Sequence, residues 1–77
     1  MEHFLAAASP EEPITTVVSH PQALSQCSDY VEAHGLKTQE SSNTAAAARY
    51  VAVERPQGVA AICSREAAQK YGLTILA

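Results

Sequence analysis

A run of hydroxyl and amide side chains, S-H-P-Q-A-L-S-Q-C over residues 19–27, has the types and spacing to bind an anion. The β-branched residues 14–18 before it predict a buried strand that leads into Ser19. A hydroxyl at a strand-to-helix turn lies beside unpaired backbone N–H groups, which hold anions. Gln22 and Gln26 follow at helical spacing on one face. The same residues also fit a plain helix cap at Ser19 and a solvated helix face at Gln26.

The same arrangement of a strand, a polar residue and a helix recurs twice. Residues 37–40 lead into S-S-N-T and an alanine-rich helix that Ser42 or Asn43 can cap, with Thr44 as either its first residue or a ligand hydroxyl. The apolar residues 59–63 lead into Ser64, which is chiefly a cap and has a weaker claim on a ligand. If the strands are parallel, all three polar helix starts lie along one edge of the sheet, where open α/β sheets bind ligands.

The histidines and cysteines predict neither a metal site nor a nucleophile. The chain has three histidines and two cysteines without zinc-type spacing. We expect a structural or capping role for His20, which precedes a proline, and surface positions for His3 and His34. Cys27 falls on an apolar helix stripe with Leu24 and Val31. Cys63 falls at a helix start, where a thiolate would be stabilised.

The element pattern predicts an α/β fold in a single unit over residues 1–77. Residues 2–8 fit either a short strand or a helix, and S-P-E-E-P over residues 9–13 is a connection. Strands are predicted at 14–18, 36–40, 59–63 and 73–77, with helices at 21–34, 44–54 and 65–71. Right-handed crossovers make this a three-layer α-β-α arrangement around an open, mainly parallel sheet.

Composition narrows the class of partner. A net charge of −3 with only five Lys and Arg argues against nucleic-acid binding. No apolar run reaches the roughly 20 residues of a membrane span, and the first residues lack a basic signal-peptide region. Two cysteines inside regular elements indicate a reducing compartment, so we expect a cytoplasmic protein. The apolar content is largely alanine, so we expect a thin core that benefits from a partner surface.

Three blocks of the chain together resemble the prephenate dehydratase domain in order and spacing. They are S-H-P-Q-A-L-S-Q-C at 19–27, N-T-A-A-A-A at 43–48 and A-A-I-C-S-R-E-A-A-Q-K-Y-G-L at 60–73. The resemblance implies a lyase of phenylalanine biosynthesis that converts prephenate to phenylpyruvate with loss of water and carbon dioxide. It also implies one lobe of a two-lobe fold like that of type II periplasmic binding proteins, with the substrate in the cleft between the lobes.

The resemblance assigns roles to residues of this chain. Ser19 and Gln26 are the implied catalytic positions, and Thr44 matches a cleft threonine that usually follows serine rather than Asn43. With Gln22, Asn43 and Ser64 as further substrate contacts, the set offers hydroxyls, neutral amides and helix N-termini to a dianion. No metal or organic cofactor is implied.

The chain also departs from the family pattern. It lacks the first lobe with its Gly-rich segment, the T-R-F motif whose threonine is the family's usual general acid, and a regulatory ACT domain. We therefore expect a fragment that needs the missing lobe as partner, has little or no activity alone, and forms homo-oligomers through exposed sheet edges. The alternatives are a non-catalytic module that binds a small anion or aromatic metabolite, and a structural piece that dimerises through those edges.

Overall fold

The computed structural model describes residues 3–9, 11 and 13–76, within which five strands and four helices form. Glu2 and Ala77, at the outer ends of the first and last predicted elements, and Pro10 and Glu12 of the predicted connection lie outside the described residues. The elements, in chain order, are β1 Phe4–Ala7, β2 Thr16–Ser19, α1 Pro21–Gln26, α2 Ser28–Ala33, β3 Lys37–Glu40, α3 Thr44–Glu54, β4 Val59–Cys63, α4 Arg65–Lys70 and β5 Thr74–Ile75.

The five strands form one sheet in the order β3-β2-β4-β1-β5. Strand β2 is parallel to both β3 and β4, in the register Ser19 to Glu40 on one side and Val18 to Ala61 on the other. Strand β1 is antiparallel to its neighbours β4 and β5, with Phe4 opposite Cys63. The sheet is therefore mainly parallel, as predicted, with one antiparallel strand inserted between β4 and β5.

Two apolar clusters, one on each face of the sheet, confirm the three-layer arrangement. Because strand side chains alternate between faces, Val17 and Val18 enter different clusters. The Val17 cluster packs under α1 and includes Leu24, with Cys27 and Val31 at its margin. The Val18 cluster packs under α3 and α4, where small alanines such as Ala47 and Ala48 allow close approach of helix and sheet.

Local signals set the bounds of α3 as predicted. Asn43 caps its N-terminus, where the Asn43 Oδ1 accepts a hydrogen bond of 2.7 Å from the Ala46 N–H. Its alanine-rich interior has high helix propensity. Arg55 leaves the helix in the left-handed region at φ 49°, and Pro56 cannot continue it. Strand β4 also occupies the predicted residues.

The prediction of one helix over residues 21–34 was wrong, because the chain forms α1 and α2 with Cys27 between them at φ −104° and ψ 16°. The segment around the break contains Ser25 and Ser28, whose hydroxyls compete for backbone hydrogen bonds and lower helix propensity. The Val31 N–H still donates to the Cys27 carbonyl at 3.0 Å. The break is therefore a bend, and the predicted apolar stripe stays against the sheet.

The longest helix of the described residues, α3, has 11 residues, and no described helix has the length and apolar character of a membrane span.

Candidate functional site

The carboxyl ends of β2, β3 and β4 meet at one edge of the sheet, because these three neighbouring strands are parallel. Hydrogen bonds join the strand ends at this edge. The Ser41 N–H donates to the Ser19 carbonyl at 2.9 Å, and the Ser19 hydroxyl donates to the Ile62 carbonyl at 2.7 Å. The polar helix starts that follow these strands therefore share this edge, as the sequence predicted.

A groove of about 320 Å³ opens at this edge, and we call it the edge groove. Its lining combines imidazoles, neutral amides and one hydroxyl, and it contains no carboxylate among the described residues. The lining residues are His3, His20, Gln22, Ala23, Gln26, Asn43 and Thr44. Four of the six predicted site residues thus lie together: Gln22, Gln26, Asn43 and Thr44.

His20 caps α1, which confirms the expected capping role. Its Nδ1 accepts the backbone N–H of Gln22 at 3.0 Å, and Pro21 occupies the first helical position, where no N–H is needed. Since Nδ1 uses its lone pair in the cap, the neutral ring carries its proton on Nε2. His20 therefore brings an N–H donor to the edge groove, and the interpretation of Ser19 as the cap was wrong.

Asn43 and Thr44 enter the edge groove from the start of α3. The Asn43 Oδ1 serves the helix cap, so its amide NH2 is the part of the side chain left for a ligand. Thr44 is the first residue of the helix and is half-buried. The sequence left two roles open for Thr44, the first residue of the helix or a ligand hydroxyl. The structure shows the first role, and the position of Thr44 in the lining of the edge groove is compatible with the second.

Gln26 lies at the end of α1 and contacts a residue that the sequence analysis placed on the surface. Its Oε1 is 2.6 Å from the Nε2 of His3, which is half-buried. His3 reaches this edge because β1 is antiparallel and therefore begins where β2 and β4 end. This placement could not be predicted from the sequence, because the apolar run after His3 fits a strand and a helix equally well.

Ser19 is the only buried polar residue among the described ones, and its hydroxyl is bonded to the Ile62 carbonyl. It is fully buried and is not part of the lining of the edge groove. The Ser19 hydroxyl therefore bridges β2 and β4 inside the sheet edge rather than facing the edge groove. A direct contact between Ser19 and a ligand stays a prediction, and it would require the hydroxyl to exchange its present acceptor.

Ser64 and Cys63 lie outside the edge groove. Ser64 caps α4, as predicted, by accepting the Ala67 N–H at 3.1 Å, and its claim on a ligand stays a prediction. Cys63 is fully buried, and burial raises the pKa of its thiol. The expectation that the helix start stabilises a thiolate was therefore wrong, because desolvation of the charge outweighs the helix terminus.

A second cavity, of about 330 Å³, adjoins the edge groove across the His3–Gln26 contact. The two residues belong to both linings, and the rest of the second lining is mainly apolar, with Phe4, Leu5 and Ile62. Asp29 contributes a carboxylate to its rim. In the part of the chain that the structure describes, no three His, Cys, Asp or Glu side chains are grouped to hold a metal ion.

Comparisons of sequence place this arrangement among known proteins. A family model described as "Prephenate dehydratase" matches residues 1–77. A prephenate dehydratase of Methanocaldococcus jannaschii is 44% identical over 63 residues, which are 82% of this chain and 23% of the relative. Arogenate dehydratase 2 of Petunia hybrida is 41% identical over 66 residues, 86% of this chain and 17% of the relative. The chain thus spans less than a quarter of the length of these relatives.

Two solved structures share the fold. One, described as GqqA, a novel type of quorum quenching acylase, superposes with a TM-score of 0.92 at 29% identity, over all of this chain and 29% of that chain. The other, the prephenate dehydratase of Staphylococcus aureus, superposes with a TM-score of 0.80 at 24% identity, over 95% of this chain and 28% of that chain.

Proposed function

The chain belongs to the prephenate dehydratase family, and from this premise we propose that it is the substrate-binding lobe of an enzyme that converts prephenate to phenylpyruvate. The ring carboxylate leaves as carbon dioxide, its electron pair moves into the ring, and the hydroxyl departs with a proton as water. Aromatisation supplies a large driving force. The protein therefore mainly has to orient a dianion and assist departure of the hydroxyl.

The observation that supports this proposal is the convergence of neutral donors on the edge groove. Gln22, Gln26 and Asn43 carry amide NH2 groups, and His20 carries an Nε2–H. The N-terminus of α3, an 11-residue helix, adds unpaired backbone N–H groups beside Thr44. Hydrogen bonds from neutral donors to a carboxylate are charge-assisted and stronger than bonds between neutral groups. The groove thus suits a carboxylate better than a cation.

The lining also bears on the choice between prephenate and arogenate, the substrate in the names of several plant relatives. Arogenate carries an ammonium where prephenate carries a keto oxygen. Among the residues that the structure describes, the lining of the edge groove has no carboxylate to pair with an ammonium. We therefore assign prephenate as the preferred substrate. A competition experiment with both compounds tests this assignment. Tighter binding of arogenate than of prephenate would overturn it.

A chimera tests the proposed activity. This chain replaces its matching segment in the Methanocaldococcus jannaschii prephenate dehydratase, and formation of phenylpyruvate from prephenate is measured. We expect turnover in the chimera. Because a hydrogen bond to a charged group contributes about 1.5–3 kcal/mol, Gln26→Ala should lower kcat/KM by about 10- to 100-fold. Gln69→Ala, a matched change on the exposed face of α4, should leave it unchanged.

A folded chimera without activity, or one in which Gln26→Ala behaves like Gln69→Ala, would contradict the proposal. If the chimera does not fold, titration of the chain itself with phenylpyruvate, followed by NMR amide shifts, decides between ligand binding at the groove and none. Binding without turnover in a folded chimera would favour a non-catalytic module for aromatic metabolites.

The isolated chain should not turn over prephenate, because its 77 residues contain no T-R-F motif and its edge groove is only partly enclosed. We also propose that the chain self-associates in the cytoplasm. Self-association is supported by β3, an edge strand whose four residues are all exposed. The cytoplasm is supported by the free thiols of Cys27 and Cys63, which are typical of a reducing compartment. Sedimentation of a monomer at high concentration would contradict self-association.

A further inference from the structure

We propose that His3 is a positioning residue that orients the side-chain amide of Gln26. The His3 Nε2 and the Gln26 Oε1 are 2.6 Å apart, although 23 positions separate the two residues in sequence. An amide oxygen only accepts hydrogen bonds, so His3 donates through its Nε2–H. With Oε1 engaged by His3, the NH2 group of Gln26 is the end left for a ligand in the edge groove.

The need for such a partner follows from the position of Gln26. It is exposed and lies at the last position of α1, immediately before the bend at Cys27. A free glutamine side chain samples many rotamers and both orientations of its amide, and holding it in one of them costs entropy on binding. A hydrogen bond made before the ligand arrives removes part of this cost, because the donor is already in place.

His3 is well placed for this role because its backbone adjoins a strand paired on both sides. Phe4, the next residue, is opposite Cys63 in the ladder between β1 and β4. The half-buried imidazole has only two side-chain torsions to fix. The histidine is therefore a firmer support than a residue on a loop. The contact also forms the boundary between the edge groove and the adjoining apolar cavity, since both residues line both spaces.

The orientation of the Gln26 amide can be measured without a ligand. In the ¹⁵N-labelled chain, a hydrogen bond to Oε1 shifts the side-chain NH2 signals of Gln26 and slows rotation about its C–N bond. We expect His3→Ala to move these signals, and His3→Gln, which retains an amide N–H donor, to restore them. His34→Ala removes an exposed histidine and serves as the matched control without effect.

Binding of phenylpyruvate, which rests on the proposed function, extends the test. Since one net hydrogen bond corresponds to roughly a fivefold change in affinity, His3→Ala should raise the Kd about fivefold and His3→Gln should recover most of the loss. If His3 acts through Gln26, the effect of His3→Ala disappears in a Gln26→Ala background. Backbone amide shifts of the β1–β4 ladder report whether each variant keeps the fold.

Unchanged Gln26 side-chain signals in His3→Ala would overturn the proposal. It would also be overturned if His3→Ala lowered the affinity as much in the Gln26→Ala background as in the wild-type chain. If the wild-type chain does not bind phenylpyruvate, binding by the isolated lobe is refuted, and turnover in the chimera decides the proposed function. The role of His3 is then decided by the Gln26 amide signals alone.

Discussion

Substitution of Ser19 by alanine separates the two roles open to this serine, a structural bridge and a contact with substrate. The substitution removes the hydroxyl that donates to the Ile62 carbonyl at 2.7 Å in a fully buried position. The loss of one buried hydrogen bond, which leaves its acceptor without this donor, should cost about 1–2 kcal/mol of unfolding free energy. A chain of this length has a stability of about 4–12 kcal/mol, so the loss is a measurable share.

Thermal unfolding followed by circular dichroism gives the measurement. For a domain of this size each kcal/mol shifts Tm by about 4–8 °C, so Ser19→Ala should lower Tm by about 5–15 °C. Ser25→Ala is the matched control, because Ser25 is exposed on α1 and alanine has the higher helix propensity. Its Tm should stay the same or rise slightly.

Equal Tm values for Ser19→Ala and Ser25→Ala would refute the assignment of the hydroxyl to Ile62. The same variant in the chimera tests the second role at a temperature where it is fully folded. If the Ser19 hydroxyl is only a structural bridge, the KM of the variant for prephenate should stay within about twofold of the KM of the parent chimera. A twofold change in KM corresponds to a free-energy difference of less than about 0.5 kcal/mol. A rise of tenfold or more would support direct contact with the substrate.

Three further outcomes follow from the geometry. Gly58→Ala should destabilise the chain by about 2 kcal/mol or more, since φ is +73° and the new Cβ would lie 3.1 Å from the Thr15 Oγ1. Gly35→Ala shares the positive φ but has open space and should cost only about 1 kcal/mol, and equal losses in urea unfolding would contradict the packing argument. His20→Ala should lower stability by about 1 kcal/mol through loss of the α1 cap while His20→Asn retains most of it, a difference that chemical denaturation measures. Burial raises the pKa of the Cys63 thiol, so the unfolded chain loses this proton at a lower pH than the folded chain. The free energy of unfolding should therefore fall as pH rises above the ordinary thiol range. Cys63→Ala should show a flatter dependence of stability on alkaline pH, and parallel curves for the two proteins would contradict this.

The elements that follow from local rules could be predicted from the sequence. Helix α3 begins after the Asn43 cap, continues through alanines and ends before Pro56, and each of these signals lies within the segment itself. Strand β4 is apolar at every position, which is typical of a central strand buried on both faces. The shared edge of Gln22, Gln26, Asn43 and Thr44 followed from parallel strand order.

Other features depend on distant parts of the chain and could not be predicted from local patterns. The place of β1 in the sheet is set by its pairing with β4 and β5, so neither its direction nor the position of His3 could be inferred. The burial of Ser19 depends on the Ile62 carbonyl, which lies on another strand. The bend at Cys27 reflects the low helix propensity of the serines around it. This signal is weaker than the apolar stripe, which predicted one continuous helix.

The insertion of β1 between β4 and β5 affects the order in which the chain folds. Strand β1 pairs with segments far along the sequence, since Phe4 lies opposite Cys63 and Ala6 lies opposite Ile75. On the ribosome, β1 therefore stays unpaired until β4 and β5 have emerged. Such long-range pairing raises contact order and slows folding. A synthetic peptide of residues 1–9 added to a chain that lacks them should dock into the gap, as a detachable strand does.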